Sequence, residues 1–183
     1  MVHDMRHHFS AISGMENTEE IKSYLSKVQT NLDEYRYIGK TSNKMLDLIL
    51  SKYDFVCAKS GIKFNAEVRA SNLSFINDDD LVALLSNMLD NAAESAKSSE
   101  NAYIDFSVKN EKSFVVLNVK NSCAVEPKII GDSLQTTKTD GGMHGYGTKS
   151  IKRTAKKYNG VCEWHYNENE HSFLCTVLFN RSN

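Results

Sequence analysis

Asn87, Asn91 and Glu94 stand four and three residues apart, a spacing that lines up side chains along one edge of a helix. Asparagine is a poor residue for a helix interior, and two of them cost about 1 kcal/mol against alanine. A function that offsets this cost is coordination of Mg²⁺ by a neutral carboxamide oxygen, the ion bridging protein and nucleotide phosphates. A hydrogen-bonded core amide is the bland alternative. Further on, Gly141-Gly142-Met143-His144-Gly145-Tyr146-Gly147-Thr148 leads into a helical pattern. Glycines let backbone approach phosphate closely, and the free N–H groups of a helix start attract anions. This is not a P-loop, because Thr148 rather than Lys follows Gly147. Nor is it a dinucleotide fingerprint, because Ser150 takes the third glycine position and a loop precedes it. A hinge or a plain helix cap would also use these glycines. At the start of the chain, His3-Asp4-Met5-Arg6-His7 places an acid directly after one histidine and a second histidine one turn on. The same letters read as H-D-x-x-H, a zinc-hydrolase pattern with aspartate in place of glutamate and no convincing third ligand.

The elements that must position these residues follow from apolar spacing. Leu81, Leu84, Leu85, Met88, Leu89, Ala92 and Ala96 form the buried stripe of a helix to about Lys97, opened by Asn77-Asp78-Asp79-Asp80 as cap and acidic first turn. Another helix runs from Thr41 to about Lys59, stopped by Ser60-Gly61, and a third from about Tyr146 to Tyr158, stopped by Asn159-Gly160. Strands are expected at 62–69, 103–109, 114–119, 161–166 and 172–179. Cys123 to Gly142 has no period and reads as a long, functional loop. The order α-β-α-β-β-loop-α-β-β predicts a two-layer α/β sandwich with a mixed sheet. Ahead of it, Val2, Met5, Phe9 and Ile12, then Ile21, Leu25, Val28, Leu32 and Tyr35, carry heptad spacing around a turn at 14–18. Residues 1–39 therefore read as a helical hairpin that dimerises into a four-helix bundle, and 40–183 as the globular domain.

Composition narrows the classes. The chain has 183 residues, 40% hydrophobic and 25% charged, with a formal net charge of −1. That balance gives no footing for nucleic acid or an anionic membrane surface. The longest apolar run is Leu81 to Leu85, far below the roughly 20 residues a membrane-spanning helix needs. The four cysteines have no C-x-x-C spacing, which fits unpaired thiols in a reducing, cytoplasmic setting.

Taken in order, three segments resemble a known family. Asn87-Met88-Leu89-Asp90-Asn91-Ala92-Ala93-Glu94-Ser95 looks like the N-box of the gyrase/Hsp90/histidine-kinase/MutL (GHKL) ATP-binding superfamily, and His144-Gly145-Tyr146-Gly147 resembles its second glycine box, with Thr136-Thr137-Lys138 in the lid before it. His3-Asp4-Met5-Arg6-His7-His8-Phe9 resembles the phosphoacceptor box of the histidine kinases that include peptide quorum-sensing (AgrC-like) receptors. The resemblance implies the Bergerat ATP-binding fold, with ATP and Mg²⁺ as ligands, autophosphorylation on histidine and transfer to an aspartate of a response regulator. It implies His3 as phosphoacceptor, Asp4 as base, Asn91 as magnesium ligand, and Gly145, Gly147, Thr148 and Lys138 around the triphosphate. Asn87 falls where the family's hydrolases carry a catalytic glutamate, so ATP would be held for transfer. Asn121 replaces the aspartate that usually reads the adenine amino group, with no glycine after it. A homodimer is implied, as is a membrane sensor ahead of this cytoplasmic portion. Two rivals of other classes are a catalytically silent ATP-binding dimeric module and the zinc hydrolase.

Overall fold

The computed structural model describes residues 41–69, 73–127, 129–130, 133–134 and 146–181. The chain divides into two units, Met1–Arg36 and Tyr37–Asn183, and all described residues belong to the second. The expected hairpin, with His3, Asp4, Leu25 and Leu32, lies outside them. So do Lys138, Gly145 and most of the glycine-rich segment.

Helix α1 spans Lys44–Lys59. It starts three residues later than the pattern suggests, because Asn43 takes the N-cap and its Oδ1 accepts from the Leu46 N–H at 3.0 Å. Thr41 is drawn into the cap instead, its N–H donating to the Asp47 carboxylate. At the other end the chain leaves the helix through Gly61 at φ 69°, a conformation that favours glycine. Strand β1 (Lys63–Arg69) leads to helix α2 (Asp78–Ala96). Asn77 occupies the cap of α2 without a side-chain cap bond. The start of α2 is held another way: the Tyr158 hydroxyl accepts from the Asn77 N–H and donates to the Asp80 carboxylate.

Strands β2 (Tyr103–Glu111) and β3 (Phe114–Ser122) form a hairpin turned at Lys112, φ 55°. Within the expected loop lies a short pair, β4 (Ile129–Ile130) and β5 (Ser133–Leu134). Helix α3 (Tyr146–Lys157) ends at Asn159, φ 58°, and is followed by β6 (Gly160–Asn167) and β7 (Ser172–Asn180).

The main sheet has the order β1-β2-β3-β7-β6, with only the β1–β2 pair parallel. Register places Phe106 and Val108 beside Val119 and Leu117, and these beside Cys175 and Val177, on one buried face that Ile104 shares. The three helices cover that face: α1 packs on β1, α2 on β2 and β3, and α3 on β6 and β7. Leu81, Leu84, Leu85 and Leu89 of α2 are fully buried, each contributing about 1.5–3 kcal/mol of apolar burial. The opposite face, with Asn65, Glu67 and Lys63 exposed on β1, meets solvent. This is the expected two-layer sandwich, with α2 in the middle of the helical layer, flanked by α1 and α3.

Candidate nucleotide-binding site

Helices α2 and α3 run antiparallel and are tied near both ends. At one end Lys157 Nζ donates to Asp80 Oδ2 at 2.6 Å, and the Tyr158 hydroxyl bonds the same carboxylate. These partners hold the Asp80 carboxyl below its usual range. At the other end the start of α3 rests on the asparagines of α2. A Cβ built on Gly147 would lie 3.2 Å from Asn87 Oδ1, 3.6 Å from Asn91 Oδ1 and 3.7 Å from Asn91 Nδ2. The backbone of residue 147 can come this close because it carries no side chain.

The two carboxamides differ in their engagement. Asn87 is half-buried, and its Nδ2 donates to the Ala83 carbonyl one turn back at 2.6 Å. That bond turns Oδ1 toward α3. Asn91 is exposed, and its carboxamide forms no hydrogen bond among the described residues. It is therefore a free, neutral oxygen donor of the kind Mg²⁺ accepts. The first N–H groups of α3 have no intrahelical acceptor, and no acidic residue stands in its first turn. The helix instead carries Lys149, Lys152, Arg153, Lys156 and Lys157. An unengaged carboxamide, a glycine whose missing side chain lets the helix start close on it, and a positive helix start make a donor set that fits a magnesium-bound phosphate chain.

Asn121 sits at the end of β3 on the helix-covered face, paired across to Ile104 and Phe173. It is 2% exposed, and its Nδ2 donates to the Ser122 carbonyl at 2.7 Å. Its Oδ1 has no partner among the described residues, which leaves an acceptor that suits an amino group. Thr148 is half-buried in the first turn of α3 and has a bonding partner. Glu94, the third residue of the asparagine edge, is exposed and also partnered. His3, Asp4, Lys138 and Gly145 lie outside the described residues, so only Asn87, Asn91 and Gly147 are seen together. Two residues the sequence did not single out contact this helix: Tyr53 of α1 bonds Asp90, and Tyr158 bonds Asp80. No sequence signal names such partners, since each bond joins segments distant in the chain.

The GHKL domain model matches residues 76–180, more than half of the chain and the whole stretch from α2 through β7. The chain belongs to the GHKL domain family. No curated protein sequence matches it. Among solved structures, the catalytic domain of the histidine kinase ThkA aligns with a TM-score of 0.59 at 18% identity, covering 78% of this chain and 93% of that one. The Acinetobacter baumannii histidine kinase AdeS aligns at 0.56 and 12% identity, covering 99% and 98%. The mycobacterial sensor histidine kinase MprB aligns at 0.52 and 14%, covering 72% and 93%. At these identities the likeness to these structures is one of fold. No helix among the described residues is long and apolar enough to cross a membrane.

Proposed function

We propose that this chain is the kinase portion of a sensor histidine kinase, of the peptide quorum-sensing (AgrC-like) branch, which binds ATP with Mg²⁺ and phosphorylates its own His3. The observation that carries the proposal is the contact of Gly147 with the carboxamides of Asn87 and Asn91. It sets a helix start, whose first N–H groups lack intrahelical acceptors, beside an unengaged oxygen ligand, two features a triphosphate needs together.

In this function Asn91 holds the metal, and the α3 start with Gly145, Gly147 and Thr148 cradles the phosphates. Mg²⁺, when bound, neutralises charge on the triphosphate. Lys138 adds positive charge from the lid, and Asn121 offers Oδ1 to the adenine amino group. The Asn87 amide cannot take a proton from water, so the site holds ATP for transfer instead of hydrolysing it quickly. Asp4 orients the His3 imidazole and accepts its proton as a ring nitrogen attacks the γ-phosphorus in line with the departing ADP oxygen. Residues 1–39 supply the homodimer contact and residues 40–183 the ATP site. The phosphoryl group then passes to an aspartate of a response regulator. In the whole protein a membrane sensor governs this cytoplasmic portion.

Incubation with γ-labelled ATP tests the proposal. Acid-labile, base-stable label is expected on the chain, lost in His3→Gln and in Asn91→Ala while both variants keep their fold. Label that persists in either variant overturns the corresponding assignment. ATP binding without any label in the unmodified chain makes the protein the silent binding module.

A further inference from the structure

The N-box helix is gripped on the side away from the proposed phosphate site. Tyr53 of α1 is 1% exposed, and its hydroxyl donates to Asp90 Oδ1 at 2.6 Å with a weaker arm to the Ser86 carbonyl at 3.3 Å. Ser86 and Asp90 lie one turn apart on α2, and each directly precedes one of the asparagines, Asn87 and Asn91. A step of one residue is about 100° around a helix axis. The edge held by Tyr53 and the edge facing Gly147 are therefore fixed relative to each other. Any rotation of α2 that breaks the phenol bond also turns the two carboxamides away from α3.

From this geometry we infer that Tyr53 is a positioning residue, acting through Asp90 to set the rotation of α2 and so the placement of Asn87 and Asn91. The inference rests on the ATP–Mg²⁺ function proposed above. A phenol suits the task. It is rigid, with a single polar atom at its tip, and packing fixes the ring before the hydroxyl is spent on one partner. Burial and the neighbouring Asp90 carboxylate push its pKa up, so it remains a donor at any physiological pH. A hydrogen bond to a charged acceptor is also stronger than one between neutral groups. Apolar packing alone fixes the depth of α2 on the sheet but resists rotation less well, because a stripe of leucines can repack.

The full chain is titrated with ATP by calorimetry, with Mg²⁺ and with chelator, as wild type, Tyr53→Phe, Asp90→Ala and Asp90→Asn. In the wild type Mg²⁺ strengthens ATP binding. Tyr53→Phe and Asp90→Ala each reduce that gain by roughly tenfold, the scale set by a small misplacement of a positioned ligand. Metal-free affinity stays within about twofold in both, since the remaining contacts are untouched. The double variant is no worse than either single one, and Asp90→Asn, which keeps an acceptor oxygen, recovers most of the gain lost in Asp90→Ala. Tyr53→Phe keeps the ring, so its circular dichroism and Tm stay near wild type. An undiminished magnesium gain in Tyr53→Phe overturns the inference while leaving the ATP site standing. Equal loss of metal-free and metal-dependent binding also overturns it, in favour of a role in the fold alone. No ATP binding by the wild type removes the ATP function itself, and the inference with it.

Discussion

A methyl group on residue 147 would press on Asn87 Oδ1 from 3.2 Å and fill space next to Asn91. Gly147→Ala should therefore weaken Mg·ATP binding by about tenfold, through displaced carboxamides and a crowded phosphate approach. Fold stability should change little, because alanine is the better helix former by about 1 kcal/mol. Calorimetry and a thermal melt separate the two effects, and unchanged affinity would place the phosphates elsewhere. At this scale part of the candidate site could be read ahead of the structure. The spacing of Asn87 and Asn91 and their unfavourable place in a helix marked them before any coordinates. The different hydrogen bonding of the two amides was not legible. Only the bond from Asn87 Nδ2 to Ala83 distinguishes an oriented oxygen from the unengaged group of Asn91.

Two element junctions carry their own predictions. The Asp80 carboxylate joins the start of α2 to Lys157, the last residue of α3, and to Tyr158 just after it. Its pKa is lowered, first by the bond from Lys157 and then by that from Tyr158. A carboxyl depressed in the folded state contributes stability above its unfolded pKa of about 3.9 and loses it as pH falls through the folded value. Acid unfolding followed by circular dichroism should thus show a smaller loss of stability in Asp80→Asn than in wild type below about pH 4. Identical acid profiles would show that the junction contributes nothing. The second junction is Gly160, where the chain turns from α3 into β6. A Cβ there would meet the Leu178 carbonyl at 2.6 Å and the Phe179 ring at 2.8 Å. Gly160→Ala should cost about 1–3 kcal/mol, the range for overpacking, and lower Tm by several degrees without altering ATP affinity at lower temperature. The stops at Gly61 and Asn159 were visible as local turn chemistry. The need for glycine at 160 was not, because the two nearest atoms it avoids belong to β7.

For the whole chain, the heptad pattern of residues 1–39 predicts assembly. Replacing Leu25 and Leu32 by lysine should convert the protein from dimer to monomer in light scattering while ATP binding by the remainder persists. A monomeric unmodified chain would contradict the hairpin account. The domain of the described residues needs no such partner for its core. Its helical layer and sheet bury Tyr53, Phe106, Phe179 and the leucines of α2 within one unit.

Element types and their order could be read from the chain alone, because periods of 3.6 and 2 residues, caps and left-handed stops are set by neighbours in sequence. Pairing was decided by the tertiary structure. Strand β7 lies between β3 and β6, Gly147 rests on two asparagines of another helix, and the Tyr53 hydroxyl finds Asp90. The physical reason is that residue spacing states which face of an element is apolar, while the identity of the surface that covers it depends on how all the elements pack at once.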